Sequence, residues 1–279
     1  MNPHLKHNAA PYAIFASVWR NRQLISQLAK REVVGRYRGS IMGFAWSFLN
    51  PILMLAVYTV FFTVVFKARW GGGVADGEQS HADFAIVLFA GLIVHGLFAE
   101  CLNRAPGLII QNVNYVKKVV FPLEILPWVT VISALFHAGI SLLVLLSAQL
   151  LLNHSLPWTA IFFPLVIAPF VFVILGFAWF LSAFGVYVRD SVHVMGMLTS
   201  VMLFMSPVFY PVSSLPAPIQ PWLMFNPLTF IIEQARNVLI YAKQPDWQGL
   251  VVYLIISLVV AWLGFWWFQK TRKGFADVL

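Results

Sequence analysis

Few residues in this 279-residue chain could do chemistry, and their scarcity is informative. No G-x-x-x-x-G-K-[ST] string occurs, so there is no loop of that kind to cradle nucleotide phosphates. H-E-x-x-H, G-x-S-x-G and paired metal-ligand spacings are also absent, so neither a metal site nor a catalytic residue is expected. The single cysteine, Cys101, excludes an intramolecular disulfide and a cysteine-based cluster. Ionisable groups do fall inside apolar stretches, at His95, Glu100 and His137. Such groups are functional candidates by default, yet histidines isolated in sequence more often pack or hydrogen-bond than relay protons. Glu100 and Arg104 sit one helical turn apart, where they could neutralise each other. The most concentrated chemistry is cationic: Lys30, Arg31, Arg36 and Arg38 lie within nine residues.

The elements that must hold these groups are set by composition. The chain is 60% hydrophobic and 10% charged, against roughly a quarter charged for a soluble domain, so its solvent is largely lipid. Residues 125–188 form a charge-free run of 64 residues; a spanning helix needs ~20, so this run holds two spans and a turn. Apolar runs between charges and turn residues predict six spans, at residues 41–66, 84–102, 125–152, 158–186, 192–210 and 250–268. The fold class expected is therefore an all-α integral membrane domain covering residues 1–279. The fourth span carries Pro164 and Pro169, so a kink or a late helix start is expected there. Residues 1–21 are polar and basic without an apolar core, so no signal peptide is visible and the first span directs insertion.

Lys and Arg set the orientation. Fourteen of the 18 fall on the N-terminal segment, the second and fourth connections and the tail, which places both termini in the cytoplasm. Residues 11–38 repeat apolar positions at steps of three and four (Ile14, Val18, Ile25, Leu28), as in a helix lying on the cytoplasmic membrane surface; a plain basic flank anchoring the first span is the simpler alternative. Residues 212–248, expected outside, continue a proline-rich stretch (Pro207, Pro211, Pro216, Pro218, Pro221, Pro227) that excludes one long helix. Trp222, Phe225 and Phe230 argue against a wet loop. A re-entrant pair of short helices fits, with Asn226-Pro227 as cap and first helical residue. Non-helical backbone at membrane depth must be covered by protein or line a water-filled cavity, so this segment is a candidate external gate.

The string REVVGRYRGSIMGFAWSFLNPILMLAVYTVFFTVVFK, from Arg31 to Lys67, closely resembles the permease subunit of ABC transporters that export O-antigen and related polysaccharides, with the ABC-2 type membrane fold. The resemblance extends through Tyr115-Val116-Lys117-Lys118-Val119-Val120-Phe121-Pro122 with Glu124, Tyr187-Val188-Arg189-Asp190, Ser206-Pro207-Val208-Phe209-Tyr210-Pro211 and Asn226-Pro227. It implies six spans, an N-terminal interface helix, external gate helices and a homodimer in the bacterial inner membrane. Each copy would bind one of two separate ATPase subunits. ATP and Mg²⁺ would sit on that partner, leaving this chain without a cofactor. Residues 107–119 become the coupling helix, with Asn112, Asn114, Tyr115, Lys117 and Lys118 as docking candidates. Pro207, Phe209, Tyr210, Pro211, Trp222 and Phe225 become gate candidates.

The implied substrate is a glycan on undecaprenyl pyrophosphate, whose anion Arg31, Arg36 and Arg38 would meet with planar, bidentate forks. Contact with anionic membrane lipids, or topology alone, is an equal alternative for these arginines. Within transport, a capsule or teichoic-acid exporter shares the same pattern. A transferase on lipid-linked sugars would need clustered acids or histidines, which the ten scattered acids do not supply, and a scaffold without a pathway is a third class. No nucleic-acid partner is expected.

Overall fold

The computed structural model describes residues 10–61, 81–117 and 121–279, and these are helical with no strand among them. The helices are α1 (Pro11–Tyr37), α2 (Trp46–Val60), α3 (His81–Arg104), α4 (Val113–Lys117), α5 (Leu126–Asn153), α6 (Phe163–Tyr187), α7 (Ser191–Met205), α8 (Gln220–Leu223), α9 (Pro227–Leu239), α10 (Trp247–Thr271) and α11 (Phe275–Val278). Five stretches, containing α2, α3, α5, α6 and α10, are long and apolar enough to cross a membrane, and α7 is a shorter apolar helix.

α1 begins with proline at its first turn, where a missing N–H costs nothing. Its repeat buries Ile14, Ile25 and Ala29, the latter two against Ile125 and Val129 of the α5 entrance, while Tyr12 and Trp19 remain exposed. Arg38 then turns extended, and Gly39 and Gly43 take φ of +87° and +51°. Those left-handed values suit glycine and make the elbow from which α2 departs. α2 is the least buried of the long apolar helices. The first expected span runs on to residue 66, and its last part lies outside the described residues.

α3 is the hub, packing on α2, α5, α6, α7 and α9. α6 begins at Phe163 after a 3-10 turn, with Pro164 in its first turn. It pairs most extensively with α10, because Gly176 and Gly264 oppose each other: a Cβ on either would collide with the other helix's backbone. Small residues of this kind let two helices approach closely where lipid gives no hydrophobic drive. Trp179, fully buried, fills the same seam edge-on to Phe265 at 5.1 Å.

Two expectations are refined. The stretch 192–210 is helical only as far as Met205, because Ser206 turns extended and Pro207 has no N–H to continue the ladder. Fifteen residues rise ~22 Å, less than the ~30 Å hydrocarbon core. The segment 107–119 is not one continuous helix. Pro106-Gly107 leaves it as 3-10 turns at Ala105–Gly107 and Ile110–Asn112 followed by α4, and residues 118–119 are outside the described region.

Candidate functional site

The elbow between α1 and α2, together with α3 and α5, encloses a cavity of about 680 Å³ lined by Arg36, Tyr37, Trp46, Asn50, Glu100 and His137 among others. Arg36 Nη1 lies 2.6 Å from Glu100 Oε1. His137 Nδ1 is 3.0 and 3.2 Å from the two Glu100 oxygens and 2.8 Å from Arg36 Nη1. That nitrogen can donate to the carboxylate or accept from the guanidinium, but not both. Arg104 pairs with Glu32 of α1 and is 3.5 Å from Glu100. Glu100 therefore does not rely on Arg104: two cross-helix ion pairs, Arg36–Glu100 and Glu32–Arg104, staple α1 to α3. Of the three arginines considered for pyrophosphate, Arg36 lines the cavity. Arg31 and Arg38 are exposed and form no ion pair among the described residues.

His95, the other histidine within the apolar region, has a structural partner. Its Nε2 lies 3.0 Å from the Thr199 carbonyl; a carbonyl only accepts, so Nε2 carries the proton. Thr199 Oγ1 in turn is 3.1 Å from Asn103 Oδ1, which ties α3 to α7 a second time.

The coupling candidates spread over the broken segment. Asn112 Nδ2 donates to the Leu108 carbonyl at 2.8 Å, Asn114 is exposed, and the Tyr115 ring stacks on Phe121 at 4.3 Å. Lys117 donates to the main-chain oxygen of Leu279, so the tail after α10 folds back onto α4. Lys118 lies outside the described residues. Behind the segment, Glu124 is a buried junction: Arg272 Nη1 is 2.6 Å from Oε2, Ser17 Oγ donates to Oε1 at 3.2 Å, and Trp179 Nε1 donates to its carbonyl at 2.9 Å. Arg272 Nη2 also donates to the Phe121 carbonyl at 2.8 Å. Elements α1, α6 and the tail thus converge on one carboxylate-bearing residue.

The gate candidates follow α7. Phe209 stacks on Phe204 at 5.5 Å, Tyr210 Oη donates to the Phe204 carbonyl at 3.0 Å, and Pro211 starts the 3-10 turn Val212–Ser214. Trp222 and Phe225, 6.0 Å apart, are 74% and 82% exposed. Pro207 is different, because its carbonyl accepts from Arg236 Nη1 at 2.6 Å. Arg236 of α9 is only 1% exposed; it also donates through Nη2 to Val208 at 2.8 Å and Nε to Val87 at 3.2 Å. One guanidinium thus satisfies the carbonyls that the broken end of α7 leaves without helical donors. Asn226 secures the other end. Its Oδ1 accepts from Leu228 N at 2.9 Å, capping α9, and its Nδ2 donates to Ser206 Oγ at 2.9 Å.

A family model described as ABC-2 type transporter matches residues 23–240, from within α1 to just past α9. The chain belongs to that family. This ABC-2 type chain is similar to "O-antigen export system permease protein RfbA" of Myxococcus xanthus, 28% identical over 262 residues that cover 93% of this chain and 96% of the relative. A Klebsiella pneumoniae protein of the same name is 21% identical over 258 residues, 92% and 95% of the two chains. "Polysialic acid transport protein KpsM" of Escherichia coli is 22% identical over 245 residues, 86% and 90%.

Within the ABC-2 type chain, sequence reasoning missed three anchors: the pairing of Glu32 with Arg104, the burial of Arg236, and the Arg272–Glu124 junction. Each is an ionisable residue held at or inside an otherwise apolar bundle, and that position is the signal that could have found them.

Proposed function

We propose that this chain is the permease of an ATP-driven exporter that moves O-antigen polysaccharide, carried on undecaprenyl pyrophosphate, across the bacterial inner membrane. The similarity to O-antigen export permeases over more than nine-tenths of both chains carries this reading. Two copies of the permease form the pathway, and each engages one separate ATPase subunit that holds ATP and Mg²⁺. Large apolar side chains on α2 (Ile52, Val57) and α7 (Met197, Phe204) are exposed, so lipid or the second copy covers these faces. Both termini face the cytoplasm, in keeping with the weight of Lys and Arg on that side.

In this mechanism α4 and the turns before it receive the push of the ATPase. Gly185 of α6 lies directly against the Pro106 carbonyl, and Glu124 joins α1, α6 and the tail. Displacement of the turns before α4 therefore reaches α6 through the close-packed Pro106–Gly185 backbone contact. Arg31, Arg36 and Arg38 meet the pyrophosphate at the membrane surface. The gate is the segment from Pro207 to Phe225, seated on Arg236.

The test is reconstitution with the cognate ATPase and lipid-linked glycan. Changing Arg36 and Arg38 together to Ala should lower export by about tenfold or more, since each charged hydrogen bond lost costs ~1.5–3 kcal/mol. Unchanged export from correctly inserted protein removes the arginines from this role. A permease that neither co-purifies with an ATPase nor alters its rate overturns the export reading itself. The similarity to a polysialic acid transport protein favours a second reading, a capsule exporter of the same fold, and the identity of the glycan moved in the same assay separates the two.

A further inference from the structure

We infer that the elbow cavity is a sugar site: it seats the first, carrier-proximal sugar ring of the lipid-linked glycan, with the diphosphate outside its mouth. The inference rests on the export reading and adds a ligand class and a location to it. At about 680 Å³ the cavity falls in the ~300–1,000 Å³ range of small-molecule pockets.

Charge decides which part of the ligand enters. The one arginine of the wall, Arg36, is already paired with Glu100. A phosphate group deep inside would face the Glu100 carboxylate, so the diphosphate stays at the mouth, where the half-exposed Arg36 side chain can still meet it. A neutral polyhydroxylated ring fits the same wall. Glu100 is acceptor-only, with lone pairs beyond the one used by Arg36, and ring hydroxyls are donors. Asn50, at the lining, has no partner for its amide among the described residues and offers both donors and an acceptor. Trp46 and Tyr37 supply flat apolar faces against which the C–H face of a sugar can lie. A lipid tail is a poor occupant, because it would strand these polar groups.

The unpaired positive charge lies next door. Arg38, exposed and without an ion pair among the described residues, follows Arg36 by two positions at the start of the elbow. Neutral ring inside and cation at the rim is the order of groups along a sugar–diphosphate–lipid.

The experiment uses the permease–ATPase complex in lipid nanodiscs with two probes, undecaprenyl diphosphate and undecaprenyl diphosphate bearing one N-acetylhexosamine. The wild-type complex should bind the sugar-bearing probe about tenfold tighter, the worth of one or two net hydrogen bonds plus ring contact. Asn50→Ala and Trp46→Leu should each remove most of that preference while leaving binding of the bare diphosphate within about twofold. Equal binding of both probes by the wild type, or a full preference retained in both variants, overturns the sugar site and leaves the export reading standing. Binding of neither probe by the wild type overturns the export reading and the sugar site with it.

Discussion

The two arginines that matter most in this chain are held in opposite ways. Arg236 is sealed at 1% exposure and gives its donors to the main-chain carbonyls of Val87, Pro207 and Val208. Arg36 has a side chain 51% exposed and is held by the side chains of Glu100 and His137 at the wall of an open cavity. A carbonyl at a broken helix end has no other donor to turn to, whereas a carboxylate beside a histidine and a second arginine does. The first arrangement is a structural rivet and the second an exchangeable contact, and the difference lies in what each partner could do without the arginine.

Removing the rivet should have the largest effect. In Arg236→Met the apolar volume is roughly kept, but the Pro207 and Val208 carbonyls lose their donor, while Val87 keeps its helical one within α3. Each buried unsatisfied acceptor costs ~1–3 kcal/mol, and breaking a buried charged interaction costs ~3–5 kcal/mol. A loss of about 3–5 kcal/mol is expected, read as a fall in the thermal midpoint of purified protein and in the inserted fraction. A midpoint equal to wild type would place Arg236 with Arg36 and erase the contrast. Lysine should rescue only partly, because a compact ammonium lacks the broad fork that reaches Val87, Pro207 and Val208 together.

Two smaller perturbations probe the same contrast. Arg272→Met breaks the pair with Glu124, whose side chains are 14% and 9% exposed. Ser17 still donates to that carboxylate, so a loss of about 2–3 kcal/mol is expected, between the two extremes. Gly91→Ala tests the rivet from the other side: a Cβ there would sit 2.9 Å from Arg236 Nη2 and 3.5 Å from the Val208 Cα. The guanidinium cannot swing away without leaving Val208, so overpacking of about 1–3 kcal/mol is expected. Gly96→Ala on the same helix, with open space around its Cβ, is the control and should be neutral or stabilising.

How much of this was legible in sequence follows from where the partners lie. The helices α2, α5, α6 and α10 follow from charge-free runs, and Asn226-Pro227 carries its cap in its own residue types. Arg236 does not announce itself. An arginine in a short helix one turn from Glu233 reads as a water-facing charge pair, and its closer partners are carbonyls, which every residue possesses. The elbow staple has a signal in residue spacing. Glu32 and Arg36 are four apart on α1, as are Glu100 and Arg104 on α3, and two such ladders side by side pair crosswise. The i,i+4 rule within one helix hid the pairing between two. The break in residues 107–119 was likewise present as Pro106-Gly107, but a docking helix was expected from the family pattern.

The smallest stability effect belongs to Arg36→Ala, and its smallness is the informative part. An ion pair with one half-exposed partner is worth at most about 1 kcal/mol, and here the loss is cushioned. With Arg36 gone, His137 Nδ1 can carry a proton and donate to Glu100 at the 3.0 Å already present, while Arg104 remains 3.5 Å away. A double-mutant cycle of Arg36→Ala with Glu100→Gln should therefore give a coupling within about 1 kcal/mol. Adding His137→Ala removes the substitute donor, and the same arginine deletion should then cost more. If it costs no more, His137 is not the fallback partner, and the elbow owes its tolerance to solvent alone.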